Sequence, residues 1–152
     1  MGFYSINIEV FLLNYPSVKR PGIISFEVIY CQVLSITTPV LQDQTYNIQS
    51  VALSIIIPQF TQIPNCGYAF EYSVQIKDPN TAQYSPLPPF IIFNQNALDL
   101  TVFSTESSDS GEYLISVKAN IPLQFDPTQQ IVEATFKINV INLCLQDEIT
   151  VL

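Results

Sequence analysis

The side chains that could do chemistry in this chain of 152 residues are few and scattered. There are thirteen acidic residues and three cysteines, and there is no histidine. The lack of histidine excludes Ser-His-Asp and Cys-His nucleophiles and removes the commonest transition-metal ligand. Paired carboxylates could serve glycoside hydrolysis, but no pair of acids stands out. The sequence therefore predicts a protein that is not an enzyme and uses no cofactor.

Calcium is the metal to consider for an acidic chain. Its sites need several oxygen ligands that converge within a few ångströms. The carboxylates are spread along this chain, and Asp147 and Glu148 in the segment after Cys144 are the adjacent pair that merits attention. We treat these two residues as weak candidates for a bridging ion; a solvated turn is the alternative interpretation, and no metal site is predicted elsewhere.

The charge balance narrows the classes of partner. The net charge is −8, with only five lysines and arginines, so the phosphate neutralisation that drives nucleic-acid binding is not available. Mean hydropathy is positive, yet the longest apolar run, "VALSIIIPQF" at 51–60, is far shorter than the roughly 20 residues that span a bilayer. We therefore expect neither nucleic-acid binding nor membrane insertion. Because there is no Asn-x-Ser/Thr sequon, any glycan would be O-linked, with "YSPLPP" the place to look.

The elements that position these residues are strands. In "GYAFEYSVQIKD" (67–78) apolar and polar residues alternate, which is typical of a half-buried strand. The segments 97–104, 111–121 and 134–142 alternate in the same way, and eleven prolines supply turns. With the shorter apolar runs, residues 31–143 contain about seven strands. The prediction is an all-β, seven-stranded antiparallel sandwich.

A repeat connects the two ends of the chain. Residues 2–31 contain a strand that starts Gly-x-Tyr, a proline-containing turn ("NYPSVKRPG", with Lys19-Arg20 at the predicted tip) and a strand that ends in Cys31. Residues 111–144 have the same order of elements and end in Cys144. The period of about 110 residues matches one sandwich domain. The alternative interpretation is that any two hairpins look alike.

This layout predicts three parts of the chain. Residues 1–30 are the last two strands of a preceding repeat, residues 31–143 are a complete sandwich, and residues 144–152 begin the next repeat. A variant is a separate fibre subunit in which a terminal strand completes the neighbouring molecule through main-chain hydrogen bonds. In that variant 1–30 are exchanged strands, or "LQDEITVL" (145–152) is donated, with Leu145, Ile149 and Val151 as the inter-subunit residues.

The segment "LPPFIIFNQNALDLTVFSTESSDSGEYLISVKA" (87–119) resembles the dystroglycan-type cadherin-like and immunoglobulin-like repeats of large surface proteins. The matching positions are Leu87, Pro88, Phe90, Phe93, Leu98, Asp109, Gly111, Tyr113, Ile115 and Val117. The spacing of the cysteines is similar to the version found in very long extracellular proteins of ciliated protists. This resemblance implies an immunoglobulin-like or cadherin-like sandwich in a tandem array, although the cadherin calcium motifs are missing.

"DSGEY" agrees with that fold. Asp109, Ser110 and Gly111 predict a turn, and Tyr113 can bury its ring while its hydroxyl returns to a backbone group, the tyrosine corner of such sandwiches. In antibody domains a core cysteine follows this tyrosine by two residues. Ile115 occupies that position here, so we expect an apolar core without the inter-sheet disulfide.

The cysteines are expected at the poles of the sandwich. Strand parity places Cys31 and Cys66 at one pole and Cys144 at the other, which predicts a Cys31–Cys66 disulfide and pairing of Cys144 in the adjacent repeat. A bridge that closes a loop of about 35 residues contributes roughly 3–4 kcal/mol. The alternatives are a Cys66–Cys144 bridge and three reduced thiols in a cytosolic protein.

Two classes of function fit these features. The first is a structural building block of an extracellular filament, coat or surface stalk, whose partner is the neighbouring repeat or subunit. The second is an adhesion or carbohydrate-binding module at the cell surface, for which Tyr84 and Phe125 are the aromatic residues expected in loops.

Overall fold

The computed structural model describes residues 2–28, 31–125 and 130–143. The chain divides into two compact units, Met1–Gln32 and Val33–Leu152. The first unit is a hairpin of two long strands, β1 (Gly2–Leu12) and β2 (Tyr15–Val28). All the other described strands belong to the second unit.

The hairpin turns earlier than the prolines suggest. Leu12 is paired with Tyr15, so the connection is Leu13-Asn14, and the predicted tip at Lys19 and Arg20 is wrong. These two basic residues lie within β2, opposite Phe11 and Val10. A register shift between Phe11 and Leu12 absorbs the extra residues of β2. Prolines are tolerated because both strands of a two-stranded sheet are edge strands, on which a missing N–H can face away from the partner.

The part of the second unit that the structure describes contains ten strands and one short 3-10 turn. The strands are β3 (Ser35–Thr37), β4 (Gln44–Asn47), β5 (Leu53–Ile56), β6 (Thr61–Ile63), β7 (Glu71–Lys77), β8 (Tyr84–Ser85), β9 (Ile91–Asn94), β10 (Asp99–Val102), β11 (Gly111–Asn120) and β12 (Ile131–Ile141). The 3-10 turn at Ser107–Asp109 precedes β11.

These strands form the two layers of an all-β sandwich. One layer has the strand order β5-β10-β9, and the other has the order β4-β12-β11-β7-β8. Strands β3 and β6 form a separate two-stranded sheet. The all-β sandwich predicted from the sequence is confirmed. The described residues contain three more strands than the seven predicted, because the sequence pattern did not indicate the short strands β4, β6 and β8. Of these, β6 pairs with β3, β4 pairs with β12 and β8 pairs with β7.

The β4–β12 pair is parallel, an exception to the antiparallel prediction. The chain leaves β3 through Pro39, and Asp43 then accepts the backbone N–H of Lys137 in β12 at 2.8 Å. Because Pro39 has no N–H to offer a ladder, the first strand cannot continue along a single partner. It changes layers instead, and in doing so it lengthens the edge of the five-stranded sheet.

The core lies between the two layers and is apolar. Its fully enclosed side chains include Leu100 and Val102 of β10, Ile115 and Val117 of β11, and Ile138 of β12, all with no exposed surface. They occupy the inward positions that strict alternation predicts for these segments. Ile115 stands where antibody domains have a core cysteine, and it packs here in the hydrophobic core cluster.

Tyr46 in β4 is a buried anchor that the sequence pattern did not predict. Its hydroxyl accepts the Ser104 N–H at 3.1 Å and lies 3.2 Å from the Ser104 carbonyl oxygen and 3.3 Å from that of Ser50. The side chain is 2% exposed. It therefore ties β4 to the segment after β10 inside the core, where unpaired polar groups are costly. Its place between threonine and asparagine gave no sign of this role.

We predict that Tyr46→Phe lowers the free energy of unfolding by about 2 kcal/mol, because the buried Ser104 N–H loses its acceptor. Urea unfolding of the whole chain, followed by circular dichroism, measures the change. Tyr15→Phe, an exposed tyrosine of the hairpin, is the matched control and should leave the midpoint unchanged. Equal stability of the two variants would contradict the assigned role of Tyr46.

Candidate functional site

The tyrosine corner predicted at Tyr113 is formed by residues that the structure brings together. The Tyr113 hydroxyl donates to the Asp109 carbonyl oxygen at 3.0 Å, and its ring packs edge-on against Phe90. The Asp109 carboxylate accepts the Ser104 hydroxyl at 2.6 Å. Burial, followed by the nearby Asp109 charge, raises the pKa of Tyr113. Gly111 begins β11 directly after this turn. This cluster closes the end of the sandwich and has no group positioned for catalysis.

The other residues singled out in the sequence fall into two groups. Cys31 and Cys66 are both disulfide-bonded. Cys144, the strand residues Leu145, Ile149 and Val151, and the acidic pair Asp147 and Glu148 lie outside the described residues. Across 2–28, 31–125 and 130–143, no three His, Cys, Asp or Glu side chains come together closely enough to hold a metal ion. The same part of the chain contains no helix long and apolar enough to cross a membrane.

The β1–β2 hairpin has two different faces. Residues at odd positions form the more polar face, on which Ser5 and Ser25 share a hydrogen bond of 3.2 Å and Lys19 Nζ lies 3.0 Å from Glu9 Oε2. Residues at even positions form the apolar face. The apolar face consists of Tyr4, Ile6, Ile8, Val10, Leu12, Ile24 and Phe26. On it, Tyr4 stacks on Phe26 with ring centroids 5.7 Å apart.

The apolar face is uncovered. Its side chains are between 38% and 62% exposed, which is unusual for a contiguous row of large apolar residues on a soluble protein. Amphipathic alternation of this kind is typical of a sheet that packs one face on a core. The hairpin therefore has the alternation of a sheet that packs one face on a core, although its apolar face is exposed.

The register of this hairpin matches that of β11–β12. Gly2 is opposite Val28 at its open end, as Gly111 is opposite Val140. Moving inward, the apolar pair Tyr4–Phe26 corresponds to Tyr113–Ile138, Ile6–Ile24 to Ile115–Phe136, and Ile8–Gly22 to Val117–Ala134. In both hairpins, the paired side chains on this face thus become smaller from the open end towards the turn. The correspondence ends near the turn, where Arg20 stands in the place of Val132.

The outer face of the five-stranded sheet carries a polar network centred on Glu133. Its Oε1 accepts the Ser116 hydroxyl at 2.6 Å and the Tyr84 hydroxyl at 3.1 Å, and its Oε2 lies 2.8 Å from Lys77 Nζ. Lys118 Nζ lies 3.3 Å from the centre of the Tyr84 ring, a cation–π contact. Tyr84, expected in a loop, is in fact the first residue of β8 and is held by this network.

The Glu133 network fixes the charge of its members. Burial alone would raise the pKa of Glu133, but hydrogen bonds from Lys77, Ser116 and Tyr84 outweigh it, so that the pKa is below the usual glutamate range. The hydrogen bond to Glu133 raises the pKa of Lys77. The ionised Glu133 carboxylate therefore links β12 to β7, β8 and β11 through its three partners. It is not poised to exchange a proton near neutral pH.

An open groove lies at the end of the sandwich where β6 and β7 are joined. Its volume is about 430 Å³, and it is lined by aromatic rings together with side-chain amides. Phe60, Phe70 and Tyr72 form a cluster with ring centroids 5.8–6.3 Å apart. Burial raises the pKa of Tyr72, so its hydroxyl stays neutral. We call this feature the β6–β7 groove.

The β6–β7 groove is held open by Gln62. This amide is 6% exposed; its oxygen accepts the N–H groups of Cys66 and Tyr68 at 3.2 Å, and its nitrogen donates to the Tyr68 carbonyl oxygen. Phe125 stacks on Tyr68 with ring centroids 5.1 Å apart. Phe125 lies in a turn and is exposed, as expected of a loop aromatic, and its stacking on Tyr68 also supports this loop. Strand alternation put Tyr68, Phe70 and Tyr72 on the core side and did not predict the groove.

The comparisons with known proteins give no family. No family model and no curated protein matches the chain. Among solved structures, an endo-fucoidan hydrolase of glycoside hydrolase family 107 is 13% identical, with a TM-score of 0.43 over 93% of this chain and 19% of that chain. A structure described as the basis for Dscam isoform specificity is 15% identical, with a TM-score of 0.40 over 81% of this chain and 29% of that chain. This chain therefore spans less than a third of either protein, and neither distant likeness informs its function.

We predict that Glu133→Gln lowers the free energy of unfolding at neutral pH by about 1–2 kcal/mol, since hydrogen bonds to a charged acceptor become neutral ones. The folded-state pKa of Glu133 is lowered, so its contribution is complete above the ordinary glutamate pKa of about 4.3 and is lost as pH falls through the folded-state value.

The difference in unfolding free energy between wild type and Glu133→Gln should therefore be constant from about pH 6 to 8 and shrink below about pH 4. Urea unfolding at each pH measures it. Glu112→Gln is the control, because the Glu112–Lys137 pair, at 2.8 Å, is half exposed and stabilises little. A difference that grows as the pH falls would refute the assignment.

Proposed function

We propose that this chain is a segment of a tandem array of immunoglobulin-like sandwiches that forms an extracellular filament, coat or surface stalk. In this proposal the β1–β2 hairpin supplies the last two strands of the preceding repeat, and residues 31–143 are one complete repeat. The function is mechanical and connective, with neighbouring repeats as the principal partners. It is the dystroglycan-type, cadherin-like arrangement that the sequence resembles.

The observation that carries the proposal is the hairpin's shared register with β11–β12. In β11–β12 the large apolar residues that correspond to those of the apolar face are enclosed: Ile115, Val117 and Ile138 have no exposed surface. Their counterparts Ile6, Ile8 and Phe26 are roughly half exposed. The same side of an equivalent hairpin is enclosed in β11–β12 and exposed in β1–β2.

Energetics favours a covering layer. A two-stranded hairpin alone is marginally stable in water. Each large apolar side chain gains about 1.5–3 kcal/mol when it moves from water into a core. Seven such side chains on one face would contribute most of the stability of a small domain if they were covered. The hairpin therefore gains most by completing a sandwich.

Two further features support an extracellular structural module. Cys31 and Cys66 are disulfide-bonded, and structural disulfides persist in oxidising compartments such as the cell exterior. The ionisable side chains described above are paired in structural clasps, and none has the geometry of a nucleophile with its base. The chain's acidity suits a soluble surface coat in which like-charged molecules repel each other.

Strand exchange between separate subunits is the variant of this proposal. The two differ in whether the layer that covers the hairpin is covalently attached. Intact mass of natively purified material, with and without reductant, separates them. A species far above 17.1 kDa under denaturing, reducing conditions means a covalent array, whereas a species of 17.1 kDa that forms fibres means exchange. A 17.1 kDa monomer with free thiols would overturn both.

A fusion tests the repeat directly. A second copy of residues 33–110 is joined to the N-terminal side of Gly2, so that Ser110 precedes Gly2 as it precedes Gly111 in the natural chain. The hairpin then follows a β5-β10-β9 layer of its own. We predict that hydrogen exchange of the β1 and β2 amides slows by at least about a hundredfold, because a covered sheet opens only with its domain.

The controls are two lysine substitutions in the fused protein. Ile6→Lys puts a charge on the apolar face and should restore fast exchange, since a buried unpaired ammonium is costly. Asn7→Lys makes the neighbouring change on the more polar face and should leave the protection intact. If the hairpin amides exchange as fast in the fusion as in the natural chain, the hairpin is not part of a repeat.

A further inference from the structure

The β6–β7 groove is a second feature that the proposed array does not use. Its volume of about 430 Å³ is within the range of about 300–1,000 Å³ that is usual for small-molecule sites. It belongs wholly to the second unit and does not involve the hairpin. The groups that line it indicate the kind of ligand that it can bind.

The lining is uncharged. The chain has eighteen charged residues, yet none of the residues that line the groove is Asp, Glu, Lys or Arg. An ionic ligand would lose its hydration there without meeting an opposite charge, which is strongly unfavourable. The acidic character of the whole chain also repels anions. Both effects favour a neutral ligand.

The lining combines two kinds of group. Tyr68, Phe70 and Tyr72 are only half buried, so their rings have apolar surface to offer. Gln59 and Asn65 are exposed beside them and carry amides that both donate and accept hydrogen bonds. A sugar ring has the complementary surfaces: a face of C–H groups that packs on an aromatic ring and an edge of hydroxyls that pairs with amides.

The groove is also rigid. Gln62 holds the 62–68 loop through three hydrogen bonds to backbone groups, Cys66 in that loop is disulfide-bonded, and Phe125 stacks on Tyr68. Preorganisation of this kind reduces the entropy lost on binding, which matters most for weakly bound ligands. A shallow surface loop without such a frame would not hold its rings and amides in one arrangement.

We propose that the β6–β7 groove binds a neutral saccharide. The half-buried aromatic rings take the apolar face of a sugar, and the amides of Asn65 and Gln59 pair with its hydroxyls. In an array of repeats, such grooves would attach each sandwich to neutral glycan of the surrounding coat. The binding itself does not depend on the array, so either proposal can fail alone.

The test is a titration of the ¹⁵N-labelled full chain with cellohexaose, xylohexaose and mannohexaose, followed by amide shifts. We expect at least one of these to shift the 59–72 amides with a Kd on the order of 1 mM or tighter. Asn65→Asp keeps the oxygen that accepts the Gly67 N–H at 3.0 Å but removes the donor and adds a charge. It should weaken binding by at least about tenfold with no loss of thermal stability.

Asn80→Asp is the matched control, because it makes the same change in the turn beyond the other end of β7 and should bind like wild type. Gln59→Glu provides a second variant on the groove, with the same expectation as Asn65→Asp. The proposal is overturned if none of the three sugars shifts any amide signal, if the shifted amides lie far from the groove, or if both groove variants bind with unchanged affinity. Tighter binding of a heparin oligosaccharide, or a response to an apolar peptide alone, also overturns it.

Discussion

A β-sheet with one apolar face has no stability of its own until a second layer covers that face. Such a face is enclosed in the second unit and exposed in the hairpin. In the second unit, the β5-β10-β9 layer encloses Ile115, Val117 and Ile138 completely. In the hairpin, equivalent positions hold Ile6, Ile8 and Phe26 in the same register, and they are exposed. Because burial of apolar area is the main favourable term in folding, this one difference gives the second unit far more stability of its own than the hairpin has.

Polar groups then decide how the layers are joined. Tyr46 and Tyr113 each bring a hydroxyl from one strand to a backbone carbonyl of another segment, that of Ser104 and that of Asp109 respectively. A hydrogen bond from the Ser104 hydroxyl to the Asp109 carboxylate connects these two segments. On the outer face, Glu133 gathers Ser116, Lys77 and Tyr84. Each of these groups is paired, and a partly buried polar group that is paired specifies one arrangement of strands. Glu133, Lys77 and Asp109 thereby stabilise contacts between strands and turns.

The β6–β7 groove follows from the same requirements of packing. The chain turns between β6 and β7 without a regular strand pair, and Gln62 replaces the missing backbone hydrogen bonds with those of its own amide. The rings that precede and begin β7 line the groove there. Tyr68 and Phe70 are left half buried there, on a surface free of charge. The irregular connection between β6 and β7 thus produces an uncharged surface of aromatic rings and amides.

The sequence by itself determined the fold class and the inward residues of β7, β10, β11 and β12, because a period of two with apolar residues on one side can only be satisfied by a covered sheet. It also indicated the likeness of residues 2–30 to 111–144. Tertiary structure alone decided the rest. The turn at Leu13-Asn14, the change of layers at Pro39 and the burial of Tyr46 depend on which strand becomes a neighbour. The β6–β7 groove depends on where one layer ends before the other, and such relations between distant segments leave no trace in local alternation.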